Sequence, residues 1–212
     1  MPNNESKSDK KIQILNAASD LLKHHGVQAL SFENVAAEAD LSRQLVRYYF
    51  SDLDALIVEL CDFLAAGYRD SLVAGIVNIG EVERLKFFLD FFFDLAEGHP
   101  MPRNLEVYDS LVAYSVGSQA LKDRMCSQYN VLGQVMIHEL AIAHPELDSA
   151  ACEELSFLFV SMMHSHWSFV ASLGYSRDHS RLTRAAMDRL IASYLDNPTF
   201  ERVMEKPWSR DD

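Results

Sequence analysis

The chain has 212 residues, with 31 acidic against 19 basic side chains, a net charge of −12 and a hydrophobic fraction of 49%. That length can bury a substantial core without disulfides, and Cys61, Cys126 and Cys152 read as reduced, buried thiols of a cytoplasmic protein. No stretch of about 18 apolar residues exists, so no membrane span is expected, and the polar start MPNNESKSDKK lacks the apolar core of a secretory signal.

The first element is a helix over 10–25, with Ile14, Leu15, Ala18, Leu21 and Leu22 on one face and Gly26 where a left-handed end is wanted. His24 and His25 suit its C-terminal dipole end. Residues 31–50 then read as two short helices around one tight turn. Ser31 can cap 32–39, where Phe32, Val35, Ala36 and Ala39 form a buried stripe. Asp40-Leu41 makes the turn, and Ser42 can cap 43–50, whose outward face carries Arg43, Gln44, Arg47 and Tyr48. A helix-turn-helix puts its second helix in the DNA major groove, where Arg and Gln can read base edges and a Tyr hydroxyl can hold phosphate.

A longer helix follows over 53–77, capped by Ser51 or Asp52. Beyond it, helices are expected at 81–97, 102–115, 118–144, 148–173 and 177–195, bounded by Gly80, Gly98, Pro100, Pro102, Gly117, Pro145 and Gly174. No alternating strand pattern appears. The first eleven and roughly the last twelve residues read as mobile tails.

The first sixty residues resemble the TetR family of bacterial transcriptional regulators. The resemblance is carried by ILNAA at 14–18, Leu22, Gly26, Val35 to Ala39, Leu41-Ser42-Arg43, Tyr48-Tyr49-Phe50 and Leu56. It implies an all-α fold: a three-helix, helix-turn-helix DNA-binding domain at 1–50 and a helical effector-binding and dimerisation domain at 51–212. DNA-contacting positions would be Ser31, Ser42, Arg43, Gln44, Leu45, Arg47, Tyr48 and Tyr49. Two departures stand out. The family's usual turn glycine is Asp40, which tolerates left-handed geometry better than most residues. The family's usual phosphate-gripping lysine is Leu53, although the N–H groups of that helix start could still bind phosphate. The segment HSHWSFVASLG with the following RAAMDRLIASYL is also similar to the C-terminal domain of the subgroup that includes the choline-responsive regulator BetI. In TetR-like proteins the last two helices build a four-helix bundle with a second subunit. Here Leu182, Ala185, Ala186, Leu190 and Ile191 make an apolar seam with small residues for close approach.

The charge is unevenly spread. Residues 1–50 hold six basic and six acidic groups, so all twelve excess negatives lie beyond the head. An acidic body can suppress non-specific DNA binding while a local patch grips phosphate, with strong salt dependence.

The segment ERLKFFLDFFFDLAEG is apolar on nearly all sides, which suits a central helix. Asp90 and Asp94 on it are either a solvated edge or a pair facing a cavity. With Phe91, Tyr108, Tyr129, Met163 and Trp167 they are candidate effector contacts, favouring a cationic or amphipathic small molecule. Tyr114, Met125, Met136 and Phe157 share the same helices and read equally as core.

No Glu-x-x-His, HExxH, G-x-S-x-G, GxGxxG or P-loop occurs, and His164 and His166 point to different faces of one helix. No catalytic residue, metal site or cofactor is therefore expected. The expected function is a homodimeric, ligand-responsive transcriptional regulator, a repressor released from double-stranded operator DNA by a small molecule. The alternative is an all-α interaction protein that no longer binds DNA.

Overall fold

The structure, a computed structural model, describes residues 5–77, 79–197, 204 and 206–210. Among the described residues every regular element is helical. The chain forms two compact units, Met1–Gly67 with Arg103–Cys126, and Tyr68–Pro102 with Ser127–Asp212.

The first unit begins with α1 (Glu5–His25), a 3-10 turn (Val27–Ala29), α2 (Phe32–Glu38) and α3 (Arg43–Tyr49). It takes in the start of α4 (Leu53–Ile76), all of α6 (Leu105–Ser115) and the start of α7 (Gln119–Ala143). Ile14, Leu15, Ala18, Leu21 and Leu22 are buried, as their spacing predicts, with Val35, Val46, Phe50, Leu56, Leu60 and Cys61. The N-terminal tail expectation is corrected: residues 5–11 are the first turns of α1, and 1–4 lie outside the described residues.

α2 closes with Asp40 at φ +50°. The Leu41 N–H donates to Ala36 O at 2.9 Å and the Asp40 N–H to Ala37 O at 3.2 Å. This pair of bonds is the Schellman ending, in which glycine is the usual left-handed residue. The same ending stops α5 (Glu81–Phe92) in the second unit: Asp94 sits at φ +56°, with Leu95 N–H to Asp90 O at 2.8 Å and Asp94 N–H to Phe91 O at 3.0 Å. The helix expected to reach residue 97 therefore ends five residues early. An aspartate gives little warning of this in sequence, because it adopts that conformation far less often than glycine.

The second unit also holds the rest of α4 and α7, α8 (Ser149–Trp167), a π-helical turn (Ser168–Ser172) and α9 (His179–Asp196). Its core is aromatic. Phe88 lies 4.9 Å from Phe92 and 5.5 Å from Phe159 between ring centroids, and Trp167 stacks on Tyr68 at 5.5 Å. The Trp167 indole N–H donates to Phe92 O at 2.8 Å, so its polar edge is satisfied inside the core. Cys152 is buried here, and burial pushes its thiol pKa up. Of the seam expected on α9, Leu182 is exposed and Ala185, Ala186 and Leu190 half-buried, but Ile191 is a core residue.

The C-terminal tail expectation is corrected where it can be seen; 201–203, 205 and 211–212 lie outside the described residues. Pro207 is buried, the Trp208 indole N–H donates to Ser156 Oγ at 2.7 Å, and its ring meets Phe157 at 5.4 Å. Trp208 also lies against Gly133, where an added Cβ would run into the indole ring at Cζ2. Only glycine leaves room for the indole on that face of α7.

Candidate nucleic-acid interface

α2 and α3 are short, and each is fixed at its start by a serine. The Asn34 N–H donates to Ser31 Oγ at 3.1 Å and the Leu45 N–H to Ser42 Oγ at 3.1 Å. Each bond satisfies an N–H that a helix start leaves without a partner. Asn34 Nδ2 donates to Ala29 O at 2.7 Å, tying α2 back to the preceding turn. Gln13 Nε2 donates to Ala39 O at 2.7 Å, so the end of α2 is held on α1.

With Val46 and Phe50 buried, one face of α3 is turned outward. Arg43, Gln44, Arg47 and Tyr48 are exposed on it, while Leu45 and Tyr49 are half-buried. The Tyr48 and Tyr49 rings meet edge to face at 5.3 Å. Arg43 forms an ion pair with Glu33 of α2, and the Arg47 guanidinium lies 5.4 Å over the Phe32 ring. Both arginines are thereby steadied at their guanidinium groups without being buried.

The start of α4 is acidic. Asp52 Oδ1 accepts from the Ala55 N–H at 2.8 Å, and Ser51 Oγ donates to Asp52 Oδ2 at 2.9 Å. These bonds hold the Asp52 carboxyl below the usual carboxylate range, the Ala55 bond contributing most. A phosphate approaching that helix start meets a carboxylate already in place, contrary to the expectation that its N–H groups could serve. Asp54 is fastened in turn: Tyr114 donates to Oδ1 at 2.7 Å and Ser118 to Oδ2 at 3.2 Å. Burial first, and then that bond, push the Tyr114 phenol up to about 12.

Lys7 lies in the polar start whose composition predicts a tail, yet it is part of α1. Its ammonium lies 5.2 Å over the Tyr48 ring, and the hydrogen bond with the Tyr48 phenol raises its pKa. Lys11 pairs with Glu59 and lies 5.7 Å over Phe50. The missed signal was the run Lys7, Lys10, Lys11 continuing the helical spacing of α1.

The seven candidate effector residues divide between the units: Tyr108 belongs to the first, the other six to the second. Phe91 and Met163 are fully buried, Trp167 is bonded to Phe92, and Tyr129 Oη lies 2.9 Å from His164 Nδ1. Asp90 accepts from Arg184 Nε at 2.8 Å and pairs with Lys86 at 2.5 Å; Asp94 pairs with Arg177. Neither carboxylate is a merely solvated edge, and each is compensated by an arginine far along the chain. His166 is the satisfied core histidine, with Ser180 and Thr183 hydroxyls each 3.1 Å from its ring nitrogens. Among the described residues no cluster of three or more potential ligands could hold a metal ion, and no helix is long and apolar enough to cross a membrane.

The family model for bacterial regulatory proteins of the tetR family matches residues 14–60. No curated protein matches the sequence. Among solved structures, a TetR transcription regulator from Haloarcula marismortui ATCC 43049 superposes with a TM-score of 0.74 at 17% identity, covering 88% of this chain and 98% of that one. A regulator from Saccharomonospora viridis, solved in complex with choline, gives 0.71 at 17% identity, with 92% and 100% covered. A TetR-like transcriptional regulator from Rhodococcus sp. RHA1 gives 0.63 at 17%, with 88% and 96% covered. Identities this low establish a common fold and lend no support to the BetI-like subgroup. Residues 14–60 thus match the tetR-family model, and the chain shares, over most of its length, the fold of solved TetR-type transcriptional regulators.

Proposed function

We propose that the protein is a homodimeric, ligand-responsive transcriptional regulator that represses until a small molecule releases it from operator DNA. The observation that carries this reading is the outward face of α3, where Arg43, Gln44, Arg47 and Tyr48 stand exposed on a helix capped by Ser42. Residues 1–50 bind DNA in this reading, and 51–212 bind effector and dimerise. α8 and α9 supply the dimer face in this reading; Phe157 of α8 and Leu182 of α9 are exposed, and Ala185 and Ala186 of α9 are half-buried. Effector control needs two states of unequal effector affinity, one of them holding both α3 helices at the half-site spacing.

The effector site in this reading lies within residues 51–212. That a fold neighbour was solved in complex with choline supports a small-molecule site on this fold and leaves its place and chemistry open. Asp90 and Asp94 enter such a site only if a ligand competes with Arg184 and Arg177. Two observations favour the alternative of an interaction protein that has lost DNA binding: Arg43 is paired with Glu33, and α4 starts with exposed carboxylates.

Selection from a random duplex library separates the two. A regulator recovers a palindromic sequence, and Gln44→Ala then weakens binding by about 1–3 kcal/mol and relaxes preference at one position of each half-site. Recovery of no sequence at low salt supports the interaction protein.

A further inference from the structure

The two flanks of α3 differ in charge. On one lies an open groove lined by Glu33, Asp52 and Asp54 together with Arg43 and Arg47, three carboxylates against two arginines. Glu33 is already paired with Arg43, and Asp52 caps the first turn of α4. A phosphate seated in this groove meets more negative than positive charge.

The other flank is built differently. The first turns of α1 carry exposed Lys7 to within 5.2 Å of the Tyr48 ring, and Tyr48 is itself 63% exposed. Tyr48 stands one helical turn beyond Gln44, on the same face of α3. An ammonium and a phenol O–H therefore stand together at the edge of the reading face. The ring attracts the ammonium and so restrains it, and less side-chain freedom is lost when an anion binds.

We propose that Lys7 and Tyr48 form the phosphate grip of this chain, so that the DNA backbone is held on the α1 side of α3 and not at the start of α4. The inference rests on the reading of the first unit as a DNA-binding head. The grip is a point charge plus one hydroxyl donor, which positions the duplex without reading its sequence. It also explains how a head with no net charge can hold a polyanion. Its cation stands beside the reading helix, and the carboxylates of the groove lie on the opposite flank.

The test uses the full-length protein, the duplex recovered from a random library by the wild type, and a scrambled duplex of equal length. Affinity is read by fluorescence anisotropy over a range of potassium chloride concentrations. Lys7→Gln should weaken binding about five- to tenfold per subunit near 0.1 M salt, equally on both duplexes, and lower the salt slope by about one per subunit. Lys7→Arg should restore the slope, and Tyr48→Phe should weaken both duplexes by a smaller factor. An unchanged slope in Lys7→Gln overturns the proposal, most directly if Leu53→Lys raises it. Loss confined to the selected duplex also overturns it, because Lys7 would then read a base. If the wild type recovers no duplex at all, the DNA-binding reading itself fails and the grip falls with it.

Discussion

Arg184 Nε donates to Asp90 Oδ1 across 2.8 Å, joining α9 to α5 over 94 residues of sequence. The arginine side chain is 10% exposed and the aspartate 17%, so neither charge is well hydrated once its partner is gone. Removing Asp90 leaves the Arg184 guanidinium with only the exposed Asp188 carboxylate as partner, and a buried charge that loses part of its compensation is costly. Asp90→Ala should lower unfolding stability by about 2–4 kcal/mol, and Arg184→Met with Asp90→Leu should recover much of that. Urea unfolding of the single and double variants measures both. A single variant as stable as wild type would mean the pair is hydrated in solution.

The left-handed Asp40 sets an order of stabilities. Glycine removes the steric strain at φ +50° but gains freedom in the unfolded chain, so Asp40→Gly should change stability by only about 0–1 kcal/mol, favourably. Asp40→Val puts a branched side chain in the same conformation and should lose about 1–2 kcal/mol. Thermal denaturation that ranks valine with glycine would show that the turn has another geometry in solution.

Trp208 and Gly133 should behave as one unit. Gly133→Ala favours α7 by about 1 kcal/mol through helix propensity but drives a methyl into the indole. The ring has no flexible end to give way, so Trp208 should leave its slot with little net change in stability. Tryptophan emission should shift to the red in Gly133→Ala and stay put when Trp208→Phe is added. An unshifted spectrum in the single variant would sink the idea.

Burial first, and then the charge of nearby His179, hold the His166 pKa below its ordinary 6.5. The folded state therefore binds this proton less readily than the unfolded chain. Stability is complete above pH 6.5, is lost as pH falls through the window below it, and levels off below the folded pKa. His166→Gln should flatten that part of the stability profile, measured by denaturant unfolding at successive pH values. A wild-type profile that rises toward acid in this window would contradict the sign.

The α8–α9 face offers a clean contrast between assembly and folding. Leu182 is 62% exposed and Ile191 only 5%. Leu182→Glu should give a folded monomer with unchanged helical circular dichroism, because a charge in a closely packed interface has no partner. Ile191→Glu should instead unfold the second unit. Sedimentation equilibrium distinguishes them, and a wild-type monomer at micromolar concentration would remove the dimer face.

The helix-turn-helix was legible because its determinants are local. Ser31 and Ser42 cap N–H groups three residues away, and the α1 and α2 stripes repeat within a few turns. The second unit was legible as helices but not as contacts. Arg177 and Arg184 reach Asp94 and Asp90 from more than eighty residues away, and no periodicity records such a meeting. The end of α5 was missed because its left-handed residue is Asp94 where glycine would have announced it. Lys7 was missed because a polar start with no apolar stripe of its own looks like a tail, although α1 runs through it.

Cys61 and Cys152 are both shielded from solvent, one in each compact unit. Their alkylation must wait for the surrounding helices to open. With half-buried Cys126 replaced by serine, the labelling rate of each remaining thiol becomes a clock for local opening of its own unit. Run with and without DNA or a candidate effector, the two clocks would tell which half of the molecule a ligand tightens, before any binding site is known in atomic detail.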